Sequence, residues 1–253
     1  MQKHHLPDWY TPYEFVLSNY RPPSTPWNSL LSIFQWHNET LNIHTHLLAG
    51  IYFLYEYLMD TSYATNEVYY CYTLGNLGPV IMGFTSAFAH TFQIVDAKWN
   101  IFVWRVDFIG IVAVNLSHQL LVTLLFFRMV FPGSFLLGYV MALETLFALR
   151  CIWQIICGDG HQWGVLYPLL TCVPLTGMNM ILASYQSNIY LYNACYSSFL
   201  CSVYICIAGG IFFMGKFPER FWVGKFDTFS SHTWHHIFIV ASIFAAKRAL
   251  LRL

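Results

Sequence analysis

Charge is what this sequence has least of. Lys, Arg, Asp and Glu make up 9% of its 253 residues, 12 basic against 12 acidic, where an ordinary globular chain carries roughly a quarter. So few charges cannot cover a water-facing surface. With 57% hydrophobic residues and a mean hydropathy of +0.49, the solvent is lipid. Zero net charge leaves no basic field for nucleic acid, and the apolar content excludes long disorder. The cysteines Cys71, Cys151, Cys157, Cys172, Cys195, Cys201 and Cys206 lack the paired spacings of a zinc ribbon or a disulfide framework. They read as small buried apolar residues. No h-region follows Met1, so no signal peptide is expected. No repeat period marks a solenoid, and no composition break divides the apolar part.

Five of the ten prolines fall in the first 40 residues: Pro7, Pro12, Pro22, Pro23 and Pro26. After Pro26, the residues Trp27, Leu30, Leu31 and Phe34 recur at helical spacing beside Asn28, Ser29, Ser32 and Gln35. That pattern suits a short amphipathic helix in the membrane interface. Beyond it, apolar stretches recur at the length of about 20 residues that a helix needs to cross hydrocarbon. Seven are expected, at 41–59, 69–93, 106–127, 129–149, 163–184, 190–214 and 231–249, with polar breaks that include Arg128. Pro79 with Gly83, and Pro174 with Gly177, lie inside spans and mark expected kinks.

The expected fold class is therefore all-α: a seven-transmembrane helix bundle at 41–253 behind an amino-terminal segment at 1–40. Orientation follows from Lys and Arg. With seven spans, Lys3, Arg21, Lys98, Arg105, Arg150, Lys216, Arg220 and Lys225 share the amino-terminal side, against Arg128, Lys247, Arg248 and Arg252 on the other. The amino terminus, and the segment at 1–40 with it, is expected to be cytoplasmic.

An ionisable side chain in hydrocarbon costs about 2.5–3.5 kcal/mol on insertion scales, so each one is a functional candidate. Here they gather at one depth. His90 closes the second span, Asp107 opens the third, and His232, His235 and His236 open the seventh. His232 and His236 stand four apart, on one helix face, as two imidazoles must to reach one cation. By spacing alone His235 could replace His236. His90 supplies a third nitrogen, and three histidines with an open position are the donor set of a catalytic zinc. Asp107 suits hydrogen bonding to a ligand imidazole or to water at the metal; the competing reading is an ion pair with Arg105. Ser86, one turn before His90, points the same way.

The remaining histidines, His4, His5, His37, His44, His46, His118 and His161, read as ordinary hydrogen-bonding residues. Asn115-Leu-Ser lies mid-span and Asn38-Glu-Thr on the expected cytoplasmic side, so neither sequon is expected to carry glycan. The 22 Phe, 17 Tyr and 9 Trp read as membrane belt and packing, with a lipid pocket as the alternative.

These residues carry a resemblance. FQWHNETLNIHTHLLAG at 34–50 resembles the motif that opens the first span in the progestin and adipoQ receptor family, the adiponectin receptor-like proteins. SAFAHTF at 86–92, RVDFIGI at 105–111 and KFDTFSSHTWHHIFIV at 225–240 resemble its S-x-x-x-H, third-span Asp and final H-x-x-x-H motifs, in order. The run YRPPS at 20–24 looks most like its small ceramide-related branch. The resemblance implies zinc on His90, His232 and His236, chosen over His235, with Ser86 and Asp107 beside the metal's water. It also implies a membrane lipid or lipid-like ligand, and either hydrolysis of a lipid amide such as ceramide or a hormone or lipid receptor whose zinc is structural. A transporter is the third class; it wants ionisable residues spread through the bilayer, and here they cluster. Plasma membrane, Golgi and endoplasmic reticulum all stay open, as do protein partners.

Overall fold

The computed structural model describes residues 1–59, 66–130, 135–158 and 189–248. Among them are seven α-helices and no strand: α1 Pro26–Leu31, α2 Thr40–Met59, α3 Asn66–Phe92, α4 Ala97–Val130, α5 Phe135–Cys157, α6 Ile189–Gly215 and α7 Ser231–Lys247. The expected stretch at 163–184 lies outside the described residues, with Cys172, Pro174, Gly177 and His161. Three helices contain stretches long and apolar enough to cross a membrane on length and composition alone: Ala97–Leu124, Gly138–Cys157 and Ser197–Gly215.

Helix starts are set by side chains that satisfy the orphan amides of a first turn. Thr25 accepts from the Asn28 amide at 3.2 Å and Pro26 occupies the first position of α1. Asp96 accepts from the Trp99 amide at 2.9 Å. This cap lets α4 begin at Ala97, nine residues before the expected span, so Lys98 and Asn100 belong to its first turn and not to a loop. Arg128 does not break the chain either, because α4 runs through it to Val130. The α7 amide of Ser231 donates to Glu219 at 2.7 Å. Pro79 lies inside α3, with Gly83 one turn on.

The helices pack in sequence order, α2 on α3, α3 on α4, α4 on α5 and α6 on α7, and α7 returns to α2. Several helix contacts leave no room for a side chain. A Cβ on Gly83 would fall 2.6 Å from the Gly50 Cα, and one on Gly110 would fall 1.9 Å from the Thr85 hydroxyl. Small residues of this kind let membrane helices approach closely. They hold α2 to α3 and α3 to α4, one turn along α2 from His46 and about two turns along α3 from His90.

The exterior is inside out by the standards of water. In α1 and the 3-10 turn Ser32–Phe34, Trp27 is 65% and Phe34 86% exposed, whereas Ser29 and Ser32 are buried. Serines inside and aromatics outside suit a hydrocarbon boundary. Of the cysteines whose side chains are described, Cys151 is buried, but Cys157, Cys201 and Cys206 are exposed and all four are free. The expectation of buried cysteines fails there because a lipid-facing helix does not need to bury a thiol.

The first 40 residues are not a separate appendage. The Met1 amine and Tyr20 amide close a loop through the Tyr20 and Met1 carbonyls at 2.7 and 3.1 Å. Asp227 clamps that loop to the segment before α7, accepting from the Leu17 amide at 3.1 Å and from the Ser18 amide and hydroxyl at 2.7 and 2.5 Å. Arg21, buried, donates to the Ser32 hydroxyl and to the Thr91 and His90 carbonyls at 2.7, 2.9 and 2.5 Å. A guanidinium on the last carbonyls of a helix satisfies acceptors that have no intrahelical donor and opposes the negative end of its dipole. It fixes the last turn of α3, which carries His90.

Candidate metal centre

His90, His232 and His236 converge, each offering one ring nitrogen within 4.8 Å of the others. Ring centroids are 5.0 Å apart for His90 and His232, 4.9 Å for His90 and His236, and 4.6 Å for His232 and His236. His90 and His236 are buried, His232 partly so.

Their partners fix which nitrogen faces inward. His90 Nδ1 lies 2.8 Å from Glu39 Oε2, and His236 Nδ1 lies 3.2 Å from the Asn42 carbonyl. A carboxylate and a carbonyl only accept, so both Nδ1 atoms carry the hydrogen and both Nε2 atoms keep a lone pair. His90 Nε2 and His232 Nε2 stand 3.2 Å apart. Lone pairs brought that close repel unless a proton or a cation lies between them. Three convergent imidazoles, two of them with Nδ1 hydrogens held from outside, are a donor set that fits a metal ion.

Glu39, which the sequence does not single out as a site residue, is the hub of the contacts around the histidines. Its carboxylate also accepts from Asn42 Nδ2 at 2.8 Å, Asn38 Nδ2 at 3.0 Å and the Tyr10 hydroxyl at 3.4 Å. Burial pushes the Glu39 carboxyl up, but the hydrogen bonds from His90 and Asn42 outweigh it and hold the carboxyl below its usual range. Burial and the neighbouring Glu39 push the Tyr10 and Tyr13 phenols well above their usual range, so both stay protonated as donors. Tyr13 tilts over His232 with centroids 5.3 Å apart. Asn42 also ties the two helices, its Oδ1 accepting from Thr233 at 2.6 Å. Glu39 lies within the quoted stretch at 34–50, but nothing along the chain signals its pairing with His90, 51 residues away.

Asp107 is buried beside the Ser86 hydroxyl and within electrostatic reach of His90. The expected alternative, a pair with Arg105, is not formed; Arg105 donates to the Gly158 carbonyl at 3.4 Å. His235 stays outside the group, its ring 5.2 Å from Phe213 of α6. Among the other histidines, His37 and His44 bond the Ser32 and Thr40 carbonyls at 3.0 and 2.8 Å, as expected of ordinary polar residues. His46 differs. It is buried, neither ring nitrogen has a hydrogen-bond partner, and it stacks on His236 at 3.8 Å and 1°. Asn115 donates to the Ile111 carbonyl at 2.7 Å inside α4, which is no site for a glycan.

A model of the family described as haemolysin-III related matches residues 34–246. A heptahelical transmembrane protein of rice is 52% identical over 50 residues, 20% of this chain and 13% of its own length. The adiponectin receptor protein of Drosophila melanogaster is 25% identical over 258 residues, 94% of this chain and 56% of its own length. A heptahelical transmembrane protein of Arabidopsis thaliana is 22% identical over 272 residues, 97% of this chain and 78% of its own length. The chain thus spans little more than half of the fly protein's length, and the rice match takes in a small part of the rice protein.

Proposed function

The chain belongs to the haemolysin-III related family, the progestin and adipoQ receptor proteins, and is a multi-pass integral membrane protein; on that premise we propose that it holds a zinc ion and hydrolyses a lipid amide such as ceramide. One observation carries the proposal: three imidazoles converge beside a buried carboxylate and hydroxyl at one end of an apolar bundle. His90, His232 and His236 hold the metal. Zinc there supplies a Lewis acid for the carbonyl and lowers the pKa of water to about 7.

The chain's own residues do the rest. Glu39 and the Asn42 carbonyl keep the His90 and His236 rings turned inward. Asp107 takes the proton of the attacking water and returns it to the leaving amine nitrogen, so that amide and water become fatty acid and amine. The Ser86 hydroxyl donates to the developing oxyanion. The acyl chain lies among the apolar side chains of the spans.

The same reading has seven spans, a zinc site near the cytoplasmic face and a cytoplasmic amino terminus. Support comes from the eight-to-four division of Lys and Arg and from plant relatives called heptahelical. An epitope tag on the amino terminus should be labelled only after permeabilisation, and labelling on intact cells overturns the orientation. A second reading is a receptor with structural zinc, of which the name of the fly relative supports only the word receptor. A closed site wants a fourth protein ligand, and neither His235 nor His46 joins the three. Purified protein incubated with defined ceramides should release free fatty acid, and a zinc chelator should stop it. Release no greater than from a His90→Ala control leaves the receptor reading.

A further inference from the structure

His46 is a buried imidazole whose two nitrogens meet no donor or acceptor, beside a cluster in which every other ring is engaged by a neighbour or by the other rings. Burying a polar group without a partner is costly, and native proteins rarely tolerate it without water, an ion or a ligand at the place. Nor is His46 a fourth metal ligand. Its ring is parallel to His236 within 1° at 3.8 Å. Two stacked rings keep their in-plane lone pairs in two separate parallel planes, which do not meet on one ion. His46 is therefore close to the cluster and free of it.

Its place in the bundle says what it meets. Asn42, whose carbonyl holds His236, lies one turn before His46 on α2, and His236 lies one turn beyond His232 on α7. Both helices start at the same end, so His46 is level with His236, on the bilayer-interior side of His232 and Glu39. The His46 carbonyl lies against Gly83, where α2 and α3 touch. His46 thus stands where the apolar middle of α2 meets the imidazole cluster.

We infer that His46 is the residue that recognises the ligand, hydrogen-bonding the hydroxyl or amide group next to the carbonyl presented to the metal. This rests on the zinc reading above and adds a specificity to it. A site with a waiting hydrogen-bond partner prefers lipid amides that carry such a group over analogues that lack it, because the analogue leaves the imidazole unpaired.

The test uses binding and not turnover. The protein is loaded with cobalt in place of zinc, and its visible absorption is followed while a long-chain hydroxamic acid is added; this probe brings two metal-binding oxygens together with an N–H group next to the carbonyl. His46→Phe keeps a flat ring for the stack and loses both nitrogens. It should take up as much cobalt as wild type and bind the hydroxamate about 10–100-fold more weakly, the cost of one unmade buried hydrogen bond. His46→Asn, which restores a donor and an acceptor, should recover part of the affinity. Unchanged hydroxamate affinity in cobalt-loaded His46→Phe overturns the inference. So does loss of cobalt from folded His46→Phe on the scale of His90→Ala, which would make His46 part of the metal's own holding. Wild-type protein that takes up no cobalt overturns the zinc reading and this inference together. Wild type that binds cobalt and hydroxamate but releases no fatty acid overturns the hydrolase alone.

Discussion

The same three helices bury a polar cluster at each of their ends, and the two clusters are built on opposite rules. At the far end, Lys247 of α7 pairs with Glu56 of α2 and donates to Asn76 Oδ1 of α3 at 2.7 Å. Asn76 Nδ2 in turn donates to the Tyr72 carbonyl at 2.9 Å, and the Tyr52 and Tyr72 hydroxyls are spent on the Glu56 carboxylate and carbonyl. Donor meets acceptor and cation meets anion, with the ammonium also 5.1 Å from the centre of the Phe53 ring. At the near end, His90 and His232 turn nitrogens toward each other, and His46 and His232 Nδ1 meet nothing. A polar cluster that is complete without a ligand is architecture; one that is incomplete in a convergent way is a site.

The comparison breaks most sharply at the imidazoles. Wild type should hold about one zinc per chain, since three convergent histidines make one ligand set. His90→Ala, His232→Ala and His236→Ala should each remove most of it, while His235→Ala retains it. Metal analysis of purified variants decides, and loss of zinc from His235→Ala with retention in His236→Ala would reassign the ligand. With zinc saturating, Asp107→Asn should keep the metal and lose about 10²–10⁴-fold in fatty-acid release, because the amide cannot take a proton. Unchanged turnover in the zinc-loaded protein would remove Asp107 from the chemistry.

Glu39 gives the next effect in size. Glu39→Gln replaces a carboxylate on His90 Nδ1 by a neutral amide, and a lost outer partner of this kind costs about 10–100-fold in metal affinity. Competition with a chelator of known affinity measures it. A change that equals His90→Ala would mean that Glu39 holds the fold and not the ring.

Much of the near end can be read along the chain and some of it cannot. The depth of His90 and the four-residue step from His232 to His236 follow from counting spans, because these residues mark the ends of their own helices; Asp107, expected to open its span, lies well inside α4. Glu39, Arg21, Tyr13 and Asp227 do not. They lie in segments whose composition reads as loop, and each acts on a partner far away in sequence: Glu39 on His90 and Asp227 on Leu17 and Ser18. Proline and polarity show that the first 40 residues do not span; they carry no sign that the segment folds back onto α3 and α7. The early start of α4 depended on the single cap at Asp96, which hydropathy does not register. The far-end pair was similarly hidden, because Lys247 counts toward topology and Glu56 is one carboxylate in an apolar run until α7 is seen to return to α2.

The smallest effect is the one that would show the far end to be architecture. Lys247→Met keeps the length and apolar stem of the side chain and deletes its ammonium, leaving Glu56 and Asn76 without their donor. The pair is partly open, with side chains 12% and 28% exposed, so the loss should be about 1–3 kcal/mol, below the about 3–5 kcal/mol of a fully buried pair that loses one member. A lower unfolding midpoint in detergent, with zinc content and hydroxamate binding unchanged, is the expected result. Removing the stranded carboxylate as well, in Lys247→Met with Glu56→Gln, should recover part of the stability, since the two effects come from one interaction and do not add. A double variant no more stable than Lys247→Met would show that the cost lies in packing and not in the unpaired charge. Zinc lost with the ammonium would show that the far end sets the geometry of the near one, and the division between architecture and site would fall.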